Sequence, residues 1–194
     1  IWPHKEPIDP NAIEFITESY FKNGYNIKEI LRDLFKSEHF RSEEIYNKRI
    51  KSPSELVVNS VRLSGGFDIP SEEVYQATIS SGLMGQPLLN PTSVEGWQGG
   101  EEWINTGSVM QRINFCSDVL GNPEKILVQN IFNKTPDKEN ILNICCDELG
   151  YIELHSSTKE ALNDYIQEDE FKINKEFISI LIKLIVSSRE YQMV

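Results

Sequence analysis

Apolar residues return at helical spacing along almost the whole of this 194-residue chain, and that period limits its fold more than any other feature. Residues 11–22 put Ile13, Ile16, Tyr20 and Phe21 on one side, and Asn23-Gly24 ends the run as a C-cap would. Asn26 caps a second helix, whose apolar stripe is Ile27, Ile30, Leu31, Leu34 and Phe35. The clearest start is Ser52-Pro53-Ser54-Glu55: Ser52 can cap, Pro53 suits the first helical position, and Glu55 closes a capping box. That helix runs to Gly65-Gly66. Ser71, followed by Glu72 and Glu73 where the helix dipole favours negative charge, opens another that ends near Gly82. Asn105 or Thr106 starts a helix that stops at Gly121, and Asn122-Pro123 restarts it at once. Three more are expected over 137–149, over 157–167 with a second capping box in Ser157 and Glu160, and over 174–188. Tyr151-Ile152-Glu153-Leu154 alternates but is short and reads as loop. The expected fold is all-α, an irregular multi-helix bundle of about nine helices with one long Gly/Pro/Trp-rich loop.

The length fits one helical domain over 1–194, or two small packed units, 1–120 and 121–194. Charge narrows the partners. Against 30 Asp+Glu stand 19 Lys+Arg, a formal net charge of -11 that repels phosphate backbones and anionic lipid, so nucleic-acid binding is not expected. The densest basic run, Lys48-Arg49-Ile50-Lys51, reads as a solvated linker. The longest apolar stretch, 177–186, is far short of the roughly 20 residues of a membrane span and reads as a buried helix. A chain opening at Ile1-Trp2-Pro3 is expected to be an excised or processed piece of a longer protein. Cys116, Cys145 and Cys146 read as small apolar core residues rather than a disulfide framework.

One internal echo stands out. Ile30-Leu31-Arg32-Asp33-Leu34-Phe35-Lys36-Ser37-Glu38-His39-Phe40 resembles residues 181–191, and both end in Ser-x-x-aromatic. Two related corners of the bundle are expected, each with the aromatic folded back on the last helical turn.

The least ordinary segment is residues 84–106, Met84 to Thr106. Gly85, Pro87, Pro91, Gly96, Gly99 and Gly100 interrupt any helix or strand there. Yet Leu88, Leu89, Val94, Trp97, Trp103 and Ile104 are too apolar for a solvated linker. A loop of this length is functional or packed on itself.

This segment resembles the signature of the bacterial domain-of-unknown-function family 1800. The shared order is Met84-Gly85-Gln86, then Pro87, Val94, Gly96-Trp97, Gly99-Gly100 and Trp103-Ile104-Asn105-Thr106. Leu34-Phe35-Lys36-Ser37-Glu38-His39-Phe40-Arg41, Lys51-Ser52-Pro53-Ser54-Glu55-Leu56 with Arg62, and Arg112-Ile113-Asn114-Phe115 agree with further blocks of that family. Ser188-Arg189-Glu190-Tyr191-Gln192 is similar to its closing block, with Arg189 where the family has proline; residues 121–173 agree in helical pattern alone. The resemblance implies the C-terminal part of a longer, exported bacterial protein. Its partners would be the N-terminal part of that parent, a sulfatase-like companion protein or an extracellular polymer. It implies no established activity and carries no catalytic residues over.

Chemistry read from the residues is sparse. No nucleophile elbow or phosphate-cradling loop is written in the chain, and His4, His39 and His155 are widely separated, so neither a metal nor another cofactor is expected. His39 reads as a helix-terminal residue paired with the dipole or a carboxylate. Glu101-Glu102 beside Trp103 is the best acid candidate, though a solvated face is the simpler reading. Glu55 and Arg62 lie seven apart on one helix face and read as polar anchors, with substrate binding as the alternative. Trp97 and Trp103, with Gln86, Asn105 and Arg112 near them in sequence, form the candidate binding loop: indole faces stack while amides and a guanidinium orient a ligand. The bland alternative has both indoles plugging the loop onto the core.

Two functions follow as expectations. The first is a non-catalytic helical interaction or scaffold module that presents the loop to a partner chain or polymer. The second is part of an enzyme acting on an extracellular polymer such as a glycan. There Glu55, Arg62, Glu101 and Arg112 would be tested, and a missing N-terminal region would complete the site.

Overall fold

Helix boundaries follow the caps. The computed structural model describes residues 9–43, 47–66, 71–168 and 172–194. Among them are nine α-helices and almost no strand: α1 (Pro10–Lys22), α2 (Ile27–Lys36), α3 (Pro53–Leu63), α4 (Glu72–Leu83), α5 (Thr106–Leu120), α6 (Ile126–Asn133), α7 (Ile141–Glu148), α8 (Ser156–Glu168) and α9 (Lys175–Val186). The chain divides into two compact units, residues 1–49 with Val194, and residues 50–193. The boundary therefore lies at Arg49–Ile50. Within the second unit α5 packs on α9.

In the first unit α1 packs on α2. Asp9 works twice: its Oδ1 accepts the Asn11 N–H and starts α1, and its Oδ2 lies 3.2 Å from His39 Nδ1. His39 is thus the carboxylate-paired residue at a helix end that its position suggests. Asp33 of α2 accepts hydrogen bonds from Ser19 Oγ (2.7 Å) and Asn23 Nδ2 (3.0 Å), which tie it to the end of α1. The Ser19 bond, then the Asn23 bond, hold the Asp33 carboxyl below its ordinary pKa.

In the second unit α9 is central. Phe177, Ile178, Leu181, Ile182, Ile185 and Val186 are buried, and the helix touches α5, α6 and α7. Each such side chain contributes about 1.5–3 kcal/mol by leaving water. Around them pack Leu56, Cys116, Leu120, Leu127, Val128, Ile131, Ile141, Leu142, Cys145 and Ile166. Tyr165 of α8 stacks on Phe177 with ring centroids 6.1 Å apart. All three cysteines are free and buried, as small core residues.

Two close approaches fix the packing. Gly121 ends α5; a Cβ there would lie 2.5 Å from Lys183 Cγ and 2.7 Å from the Ser117 carbonyl oxygen. The Gly121 carbonyl also accepts a hydrogen bond from buried Ser179 Oγ of α9. At Gly65, with φ +109°, an added Cβ would lie 2.6 Å from Ile126 Cγ2.

Three expected starts shift. The helix after Gly121 begins at Ile126 rather than at Asn122-Pro123, because Asn122 Oδ1 accepts the Glu124 N–H and closes a turn. α7 begins at Ile141 rather than Asp137, whose Oδ1 accepts the Glu139 and Asn140 N–H groups in a turn of its own. α8 begins at Ser156, which puts Ser157 inside the helix instead of at its cap. Its first turn is held from a distance: Glu190 Oε1 accepts the His155 N–H (2.9 Å) and Thr158 Oγ1 (2.8 Å).

The echo is structural. α2 is followed by a 3-10 turn at His39–Arg41, and α9 by one at Glu190–Gln192. In both, the serine hydroxyl accepts the N–H of the aromatic three residues on, Ser37 from Phe40 (3.2 Å) and Ser188 from Tyr191 (3.4 Å). The residue after the aromatic folds back in each: Arg41 Nη2 donates to the Lys36 carbonyl and Gln192 Nε2 to the Val186 carbonyl.

Candidate functional site

The loop after α4 starts because Met84 is fully buried while Gly85 turns the chain at φ +102°. Gln86 Oε1 then accepts both the N–H and the hydroxyl of Ser54, at 2.9 and 2.7 Å, and pins the loop to the first turn of α3. Trp97 Nε1 donates to the Pro87 carbonyl (2.8 Å), drawing the far arm of the loop back on its own start. A 3-10 turn at Gly100–Trp103 follows, and Asn105 caps α5 by accepting the Ser108 N–H (3.0 Å). Ser108 Oγ in turn accepts the Asn105 N–H (3.0 Å) and donates to the Trp103 carbonyl (2.6 Å).

This closure leaves a cleft of about 430 Å³ between the loop, the end of α4 and the start of α5. Trp103, Gln98, Glu102, Asn105 and Gln111 line it, with Thr92, Ser108 and the Met84–Gly85 turn. Its polar groups are amides and hydroxyls plus a single carboxylate, Glu102. Trp103 is partly buried, and its indole N–H has no acceptor among the described residues. The tip of the loop is different: Leu89 (96% exposed, φ +60°) and Val94 (107%) stand clear of the rest.

The two indoles therefore do not form an exposed pair. Trp97 is 38% exposed and holds the loop together, and of the two only Trp103 lines the cleft. Asn105 belongs to the cleft as well as to the cap. Gln86 is a structural pin outside it. Glu101 is exposed on the 3-10 turn; its neighbour Glu102 is the carboxylate that reaches the cleft. Glu55 closes the expected capping box by accepting the Ser52 N–H (2.7 Å), whereas Arg62, on the same helix, is exposed.

Arg112 departs furthest from expectation. It is fully buried, away from the cleft, where Nη2 donates to the Lys51 carbonyl (2.7 Å) and Nε to Gln192 Oε1 (2.8 Å). Its Nη1 has no partner among the described residues. Lys51 is buried beside it, contrary to a solvated linker, with Nζ donating to the Tyr191 carbonyl (2.7 Å) and lying 4.3 Å from that ring's centroid. Burial lowers the pKa of both cations from their ordinary values. Burial also pushes the Cys116 thiol up to about 11, against the opposing pull of Ser60, Arg112 and Lys51. The cluster is consequently a structural clasp between the start of α3, α5 and the closing 3-10 turn, with a protonated thiol inside it. Periodicity could not have found it, since its partners stand far apart in sequence.

His155 is exposed, its ring paired with Ser157 Oγ, and His4 lies outside the described residues. Among the described residues no group of three or more His, Cys, Asp or Glu could hold a metal, and no helix is long and apolar enough to cross a membrane.

No curated protein and no solved structure matches the chain. A family model does: the one described as Protein of unknown function (DUF1800) matches residues 3–193, nearly the whole chain, and the protein belongs to that family.

Proposed function

We propose that this chain is a helical interaction module that presents residues 84–106 to a protein partner, whose extended segment lies in the cleft. The observation that carries this reading is the pairing of an amide-lined cleft with an exposed apolar tip on one loop. Gln98 and Gln111 offer both donors and acceptors, and Asn105, whose Oδ1 caps α5, adds its amide donor, the complement of a peptide backbone. Leu89 and Val94 are held out in water, where a partner surface would cover them. In this reading the module is the C-terminal part of an exported bacterial protein. Its partner is then the rest of the parent or a companion chain.

A second reading keeps the cleft and changes the ligand. Trp103 and Glu102 line the same cleft, which favours a glycan stacked on the indole, with catalysis completed by another region of the parent. A glycoside-type reaction flanks the bond with two carboxyls, and Glu102 is the one carboxylate of the lining. That weighs toward binding.

The test compares affinity recovery from the native source by three forms of the chain: unaltered, Leu89→Ser with Val94→Ser, and Gln98→Ala with Gln111→Ala. The proposal expects a protein retained by the first and lost by both variants, with helical circular dichroism unchanged. Equal recovery by all three contradicts it. Retardation in gels cast with a neutral polysaccharide, abolished by Glu102→Gln, would favour the second reading instead.

A further inference from the structure

Two helices carry an exposed apolar ridge of the same length. On α2 it is Ile27 (64% exposed), half-buried Leu31 and exposed Phe35; on α4 it is Tyr75 (60% exposed), Ile79 and Leu83. Each ridge repeats every four residues and spans about 12 Å along its helix. Exposed ridges of this spacing interdigitate with one another when helices pack.

Charge distinguishes the two. Lys28, Arg32 and Lys36 run parallel to the α2 ridge and border a shallow surface lined wholly by that helix. On α4 the charges are Glu72 and Glu73 in the first turn, both exposed, with Glu73 4.0 Å from Lys125. Arg32 also pairs with Glu29 on its own helix. In a chain of net charge -11, a row of three cations beside an apolar ridge is a local exception.

We propose that α2 of one molecule docks antiparallel on α4 of a second copy of this chain. The antiparallel sense sets Lys36 and Arg32 beside Glu72 and Glu73, and sets Lys28 at the C-terminal, negative end of the α4 dipole. Pairing α2 with another α2 would oppose two cation rows, and a parallel α2–α4 pair would leave the cation row on the far side of the contact from Glu73, since both flank their ridges on the same hand. Two short helix faces bury less than the roughly 1,000 Å² of a permanent interface, so the association is concentration-dependent.

A mixing experiment by sedimentation velocity tests it. One variant carries Lys28→Glu, Arg32→Glu and Lys36→Glu; the other carries Glu72→Lys and Glu73→Lys. Each alone opposes like charges across the contact, and the concentration for half-association rises about tenfold over the unaltered chain. Mixed in equal amounts, the two restore association, because every α2–α4 pair is again complementary. Ile27→Ser and Tyr75→Ser, at sites too exposed to support the fold, each weaken association in the unaltered background. The inference is overturned if the unaltered chain stays monomeric up to the highest soluble concentration. It is equally overturned if it associates and neither charge variant changes the midpoint, or if mixing restores nothing.

Discussion

Lys51 Nζ donates a 2.7 Å hydrogen bond to the carbonyl oxygen of Tyr191, 140 residues away, and sits 4.3 Å from the centroid of the same ring. One side chain thus satisfies a backbone acceptor and covers the face of a buried aromatic. With Arg112 on the Lys51 carbonyl and Gln192, it fastens the end of the second unit to the start of α3. Replacing Lys51 by Met keeps the stem and removes both interactions, and is expected to cost about 1–3 kcal/mol. The check is a lower urea midpoint at unchanged denaturant slope.

Arg112 should be less tolerant still. Arg112→Lys cannot reach the Lys51 carbonyl and Gln192 Oε1 together, because the planar fork is lost. About 2–4 kcal/mol of destabilisation is expected, and the partner binding proposed for the loop should persist in whatever fraction remains folded. Urea unfolding of the purified variant reads the first, and recovery normalised to folded protein reads the second.

Gly65 offers a packing test. Gly65→Ala strains a residue at φ +109° and drives its methyl into Ile126 Cγ2. A loss of about 2 kcal/mol or more is expected from the strain and the clash together. Gly66→Ala has the strain without the clash, at φ +78° with nothing within 4 Å among the described residues, so it should cost less in parallel thermal melts.

Acid stability carries the mark of Asp33. Its folded pKa lies below the unfolded value, so its stabilisation is fully present above the unfolded pKa and is lost as pH falls through the folded one. Glu190 acts in the same direction. Burial opposes its charge, but hydrogen bonds from the His155 N–H, its own N–H, Thr158 and Ser188 outweigh that effect. Asp33→Asn should therefore flatten the acid limb of a circular-dichroism titration while leaving the alkaline limb alone.

Thiol chemistry reports on the core. Burial raises the pKa of all three cysteines, those of Cys116 and Cys146 to about 11. At pH 8 each is a protonated, enclosed thiol and a poor nucleophile. Iodoacetamide labelling followed by mass spectrometry should find Cys116 and Cys145 unmodified in the native protein and modified once denaturant unfolds it.

Much of the fold is written locally, as caps. Asn26, Ser52 with Glu55, Ser71, Asn105 and Asn174 start their helices, because a cap needs only groups within three residues of itself. Where a local signal fails, a distant or competing group has taken its place. Asp137 spends its carboxylate on a turn ahead of α7, and the start of α8 is held by Glu190, thirty-five residues on from His155. The basic run at Lys48–Lys51 reads as solvated because no period shows that a tail residue will cover Lys51. At the loop, the glycines, prolines and apolar residues leave packing on itself and a functional role both open; Trp97 closes one arm on the Pro87 carbonyl, while Leu89 and Val94 stay exposed. Which Trp would line the cleft depended on the 3-10 turn and the Ser108 bonds, and composition does not encode these.

The central claim is that residues 84–106 are the contact surface for a protein partner. Hydrogen–deuterium exchange of the protein, with and without the partner recovered through the loop, measures it directly. Slowed exchange confined to residues 84–106 and the first turn of α5 is the predicted result. Unchanged exchange there, with protection arising elsewhere or nowhere, would contradict the account.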